Sequence, residues 1–231
     1  MADEIILEMT NGVPADNRLD GISDKNYVVA SGVIVNRYDA KNATLLTIMV
    51  RGGRKLDKRN YPQFVLTREV KDAAAELNTG DHVKITGIIS SQRNPQTGEF
   101  KNIIRATSVE RTKTKLAELT TERNLGKVRD VPTADFYVAG TIVKFEAFGK
   151  GVIRLVIKSK LENGHTVYGN YHYFAQELAG VIDELKVGNR ICAIGEVQTD
   201  KKETEGEKPK YFQTNVITDI SSIENVLSIK K

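Results

Sequence analysis

The 231-residue chain has no tryptophan, one cysteine, three histidines and five prolines. Each scarcity excludes something. Cys192 cannot close a disulfide within the chain, and its setting in RICAIGEV reads as a buried strand, so it is expected to be a core thiol rather than a nucleophile. Three scattered histidines and one cysteine make no zinc pattern, and no metal or other cofactor is expected. The phosphate-cradling pattern G-x-x-x-x-G-K-[ST], the nucleophile elbow G-x-S-x-G and paired histidine ligands are all missing, so the chain is expected to be no enzyme. No apolar run approaches the roughly 20 residues of a membrane helix. The opening MADEIILEMT is acidic where a secretory signal carries positive charge. These readings predict a cytoplasmic chain without a membrane partner.

Charge is what the chain has in plenty, at 28% of residues and a net +4. It is unevenly spread. Residues 1–25 hold two basic and six acidic side chains, residues 26–112 hold 14 and eight, and residues 132–222 hold 11 and 12. The basic excess in the first half suits a polyanionic partner.

The chain also repeats itself once. NYVVASGVIVNRYD (26–39) lies over ADFYVAGTIVKFEA (134–147), with Gly32 on Gly140. Without a gap, residues 64–89 lie over 172–197, with Glu69 on Glu177, Leu77 on Leu185, Gly80 on Gly188 and Gly87 on Gly195. After a longer loop in the second copy, GEFKNIIRATSVE lies over PKYFQTNVITDIS, with Phe100 on Phe212. Two units of this size indicate duplication of a whole domain. The expected organisation is an acidic extension (1–25), a first domain (26–112), a linker (113–131), a second domain (132–222) and a short basic tail (223–231).

Within one unit, YVVASGVIV, TLLTIMV, YPQFVLT, HVKITGIIS and KNIIRATSVE carry the β-branched and alternating character of strands. REVKDAAAELN places Val70, Ala73, Ala74 and Leu77 at helical spacing, stopped by Thr79 and Gly80. The second unit repeats the order, with Leu178, Val181, Ile182 and Leu185 on its helix. Five strands with a helix between the third and fourth is the order of the OB-fold. The predicted fold is therefore all-β, with one short helix per domain, as two tandem five-stranded OB barrels.

NYVVASGVIV, NYPQFVLTREVKDAAAELNTGDHVKITGIISSQR and TGEFKNIIRATSVE together resemble the bacterial single-stranded DNA-binding protein family. The resemblance covers most of 26–112 and, more faintly, 134–222. It implies sequence-independent binding of single-stranded DNA in replication, recombination or repair, and a homodimer supplying four barrels. That family's third strand carries a tryptophan and a phenylalanine that stack on bases. Counted back from the glycine that ends the helix, those positions are Asn60 and Leu66 in the first unit and Tyr168 and Phe174 in the second. The family's acidic recruiting tail has no counterpart in SSIENVLSIKK, which leaves recruitment of replication or recombination proteins without its usual device. The divergent copies and this tail lean toward a phage or plasmid gene.

Sequence-tolerant binding of a single strand needs cations along the phosphates and flat rings under the bases. In the first unit the candidates are Arg51, Arg54, Lys55, Lys58 and Arg59 in the hairpin between strands two and three, with Tyr61 and Phe64 beyond it and Arg93, Lys101 and Arg105 near the last hairpin. In the second unit Tyr168, His172 and Phe174 share one strand face, with Arg154, Lys158 and Lys160 supplying charge. Tyr171 and Tyr173 point the other way, into the core. Phe100 and Phe212 are read as core fillers at a barrel end. Two other functions fit the same pattern: an RNA-binding OB protein, and an adaptor that uses its barrels for protein contacts.

Overall fold

A computed structural model describes residues 23–51, 58–93, 100–112, 133–148, 151–174, 185–202 and 210–222. Alternation of buried and outward side chains builds the strands. In β1 (Lys25–Asp39) Val28, Ala30 and Ile34 are buried, and in β2 (Thr44–Arg51) Leu46, Ile48 and Val50 are. The expected third strand, YPQFVLT, is strand only over β4 (Gln63–Leu66), and Tyr61 and Pro62 separate it from a short β3 (Arg59–Asn60) that begins before it. The long hairpin β5 (His82–Arg93) and β6 (Phe100–Arg111) follows. The pairings β1–β2, β2–β4, β4–β6, β6–β5 and β5–β1 close a ring, with β4 and β6 parallel. The second unit closes the same ring from β7 (Ala134–Phe148), β8 (Val152–Lys160), β9 (Thr166–Phe174), β10 (Arg190–Lys202) and β11 (Lys210–Ser222). The chain is thus all-β, two tandem OB barrels.

A single helix, α1 (Arg68–Ala73), is found among the described residues, and it is shorter than its spacing predicts. The buried Ala74 and Leu77 just beyond it join the barrel core. Arg37 holds that end in place, donating from Nη1 to the carbonyls of Ala74 and Leu77. Leu185 is buried like Leu77, whereas Leu178, Val181 and Ile182 of the second expected helix lie outside the described residues. So do residues 1–22, 113–132 and 223–231, which contain nearly all of the expected extension, the expected linker and the expected tail.

The duplication is written in the backbone. A side chain at Gly32 would strike the Met49 carbonyl at 2.6 Å, and one at Gly140 would strike that of Lys158. Both glycines sit where the first strand of a barrel crosses closely over the second. Gly80 and Gly188 both turn into the fourth strand with positive φ, at 95° and 98°. Both first strands also bulge at matching places, between Ile34 and Asn36 and between Ile142 and Lys144.

The two barrels join through β1 and β7, which pair antiparallel from Lys25↔Ala139 to Ala30↔Ala134. At the centre Val28 faces Phe136, the residue that corresponds to it in the other copy, so the joint is a pseudo-two-fold. Each barrel then clasps the other with its last hairpin. Asn102 of β6 accepts through Oδ1 from the Asn170 backbone N–H at 3.1 Å, and Gln213 of β11 accepts through Oε1 from the Gln63 N–H at 2.9 Å. Ser91 accepts from Asn170 Nδ2, while Thr199 accepts from the Tyr61 N–H.

These matched contacts correct the sequence overlay. Met49 corresponds to Lys158, and Met49 lies across from Tyr61 as Lys158 does from Tyr168. The third strand is therefore offset by 107 residues, not 108, and Tyr61 is the counterpart of Tyr168. Asn60 and Leu66 are both buried and do not occupy the places of Tyr168 and Phe174. In the last strand the offset is 111, because a side chain at Gly87 would meet the Arg105 carbonyl and one at Gly195 that of Val216. Phe212 thus corresponds to Lys101, not to Phe100. The reason is loop length: seven residues separate β2 from β3, but five separate β8 from β9. A slip of one residue moves a strand's side chains to the other face.

Asn26 marks where the backbone pairing of β1 with β5 ends while its pairing with β7 continues. Its buried amide donates to the Ile89 carbonyl at 2.8 Å and accepts from the Ile89 N–H at 3.0 Å, extending the ladder by a side chain. Asn26→Ala strands both backbone groups. It is expected to cost about 2–3 kcal/mol, read as a lower urea midpoint with an unchanged m-value.

Candidate nucleic-acid interface

The outer face of the second barrel is the more regular of the two. On β8, Ile153, Leu155 and Ile157 point inward and Arg154, Val156, Lys158 and Lys160 point outward. On β9, Tyr171 and Tyr173 are fully buried, as alternation predicts, and Tyr168, Asn170, His172 and Phe174 point outward. Tyr171 fills the core against Phe136, ring centroids 5.2 Å apart. Register then sets Arg154 directly across from His172 and Lys158 across from Tyr168. Cross-strand neighbours of this kind lie within side-chain reach. The result is a row of cations beside a row of rings. Tyr168 is 45% exposed and Phe174 39%.

Charges on this face are partly engaged. Arg154 pairs with Glu146, which also takes Lys144 at 2.6 Å, and the two cations hold the Glu146 carboxyl below its usual range. Burial, with Arg154 nearby, pushes the His172 imidazole below its ordinary pKa. Lys158 and Lys160 are exposed.

The first barrel's face is more apolar. Tyr61 and Val65 lie beside β6, whose Lys101, Ile103 and Arg105 point outward, and Val65 pairs directly with Arg105. A groove of about 550 Å³ runs over this face. Its floor is Val35, Val65 and Ile103, and the second barrel completes it with Thr199, Phe212 and Gln213. Val35 reaches it because the bulge turns that residue outward.

Tyr61 and Lys101 are thus brought to one groove, with Arg105 beside it. Arg154, Lys158, Lys160, Tyr168, His172 and Phe174 share the other face. Three expectations need correction. Phe64 is fully buried, because it alternates in phase with the core residue Leu66, and it cannot meet a ligand. Arg51 is buried too, its Nε without a hydrogen-bond partner among the described residues, while its neighbour across the hairpin, Arg59, is exposed. Phe212 is no core filler: it is 49% exposed and faces the groove of the other barrel. Lys58 reaches Asp200 of the second barrel at 3.2 Å. Arg54, Lys55 and the side chains of Arg93 and Phe100 lie outside the described residues. Val35, Val65 and Phe212 carry no polar signature in the sequence: the β1 bulge turns Val35 outward, and the neighbouring barrel makes Phe212 part of the groove.

The lowered His172 pKa has a sign. The unfolded chain binds this proton more readily than the folded one, so stability rises with pH across the window from the folded value up to the ordinary value near 6.5. Lowering the pH from 7.5 to 5.5 is therefore expected to reduce the urea midpoint more in the natural protein than in His172→Gln.

No family model matches the chain, and no curated protein matches it. Among solved structures, the wild-type single-stranded DNA binding protein from Thermus aquaticus superposes with a TM-score of 0.56 at 15% identity, over 87% of this chain and 94% of that one. A deletion mutant of the same protein (delta 228-252, R190A) gives 0.55 at 14% identity, over 87% and 95%. The small single-stranded DNA binding protein from Mycoplasma pneumoniae covers 40% of this chain, with a TM-score of 0.32 at 17% identity. Over nearly its whole length, then, this chain is similar in fold to the single-stranded DNA binding protein of Thermus aquaticus.

Proposed function

We propose that the chain is a non-enzymatic protein that binds single-stranded DNA without regard to sequence, using the outer faces of both barrels. The observation that carries this is the β8–β9 face, where Arg154 and Lys158 stand across from His172 and Tyr168, with Phe174 on the same side. Cations there track phosphates and rings stack on bases, and neither contact depends on which base is present. Lys101, Arg105 and Tyr61 offer the same chemistry on the first barrel. The fold shared with the Thermus aquaticus protein supports the reading, as does the basic excess of residues 26–112. In this reading residues 26–112 and 132–222 are the two binding domains, and a homodimer of the chain brings four barrels together.

Anisotropy titrations of the full chain test it. Labelled oligo(dT) is expected to bind tightly and the matched duplex weakly, with a salt slope of about −0.7 per phosphate neutralised. Tyr168→Ala is expected to lose about 1–3 kcal/mol of binding, with Lys158→Ala flattening the salt slope instead. Equal affinity for duplex and single strand overturns the reading, and a preference for the matched RNA oligomer replaces DNA by RNA.

A further inference from the structure

We propose that the binding site of the first barrel is composite, with Phe212 of the second barrel as one of its stacking residues. This rests on the reading of the chain as a single-strand binder and names a part of the site that the first barrel does not own.

Four observations converge on it. Phe212 is among the largest exposed apolar side chains described, 49% exposed in a protein with few aromatics. It lines the groove on the first barrel together with Tyr61, so the groove has one ring from each barrel. The floor between them, Val35, Val65 and Ile103, is apolar and suits the faces and edges of bases, while Lys101 brings a cation to the same groove for the phosphate. Phe212 is held there by its neighbours: Gln213 accepts from the Gln63 N–H, and Thr199 on the partner strand accepts from the Tyr61 N–H. The ring thus sits on a hairpin bonded directly to the segment that carries Tyr61, and a volume of about 550 Å³ falls within the usual range of ligand sites.

The occupant that fits is a run of unpaired bases with its phosphates. A purely apolar partner leaves Lys101 unmatched, and a free anion leaves both rings and the floor unused. The pseudo-two-fold adds an asymmetry. The place of Phe212 in the other hairpin is held by Lys101, which itself lines the first barrel's groove, so the second barrel's face is given no ring at that position.

The chain has no tryptophan, so Phe212→Trp places a single indole reporter in the groove. Saturating oligo(dT) is expected to quench it. Phe212→Ala and Phe212→Leu are each expected to bind oligo(dT) about tenfold more weakly than the natural chain, within the range for losing one stacked base. Their salt slopes stay unchanged, and Phe212→Tyr is expected to keep its affinity. Lys101→Ala should instead reduce the slope by about 0.7. An unaltered urea midpoint for Phe212→Leu shows that the hairpin still holds. If the natural chain binds oligo(dT) but the leucine variant binds equally well, or the indole at 212 is not quenched, the composite site is wrong and the single-strand reading stands. If the natural chain does not bind oligo(dT), the single-strand reading itself has failed.

Discussion

Everything else in this molecule depends on the antiparallel pairing of β1 with β7. One strand must serve two barrels at once. The first half of β1 is bonded to β5 on one edge and to β7 on the other, and beyond the crossing at Gly32 it turns to β2. β7 does the same from its own side. Neither strand leaves an open edge at the joint, and the cores on either side merge into one apolar cluster. The cost is strict packing at the crossings, which is why glycine stands at 32 and 140. The bulges that follow serve the same crossings, and they deliver Val35 and Val143 to the outer surface, each 37% exposed.

The joint also makes the clasp possible. With the two barrels held across a pseudo-two-fold, each long hairpin meets the third strand of the other barrel, and one side-chain amide oxygen on each side accepts from a backbone N–H. On the first barrel, the bonds from the Tyr61 and Gln63 N–H groups satisfy donors that Pro62 and the short β3 and β4 leave without a full ladder. Symmetry holds at the level of Asn102 and Gln213, and then breaks one residue away, where Lys101 stands in the place of Phe212. The halves have kept the contacts that fasten them and diverged in the groups beside those contacts.

Much of this was legible in the sequence. Alternation put Tyr171 and Tyr173 in the core and Tyr168, His172 and Phe174 outside, because a half-buried strand permits little else. The glycines at 32, 80 and 87 matched those at 140, 188 and 195 because close approach and positive φ tolerate few substitutes. What was hidden is the length of loops. One residue gained between the first two strands, two lost before the third and one regained by the fourth cancel in the total, so a gapless overlay looks sound at every glycine. Across strands two and three it is out by one, and that single step hid the match of Tyr61 with Tyr168. It also made Phe64 look like a ligand contact although it shares its phase with Leu66. The exposure of Phe212 was beyond the sequence for another reason: it is decided by a neighbouring barrel.

The pseudo-two-fold has a consequence for any partner with a direction. A nucleic-acid strand differs at its two ends, and surfaces related by a two-fold present their features in opposite order. A strand that crosses one face in its favoured sense meets the second face reversed if it continues straight on. To satisfy both faces in the same sense it must turn back on itself between them. Under the proposed reading, the β1–β7 joint would thus act on the path of the partner as well as on the protein, and a flexible single strand would make that turn more readily than a stiff duplex.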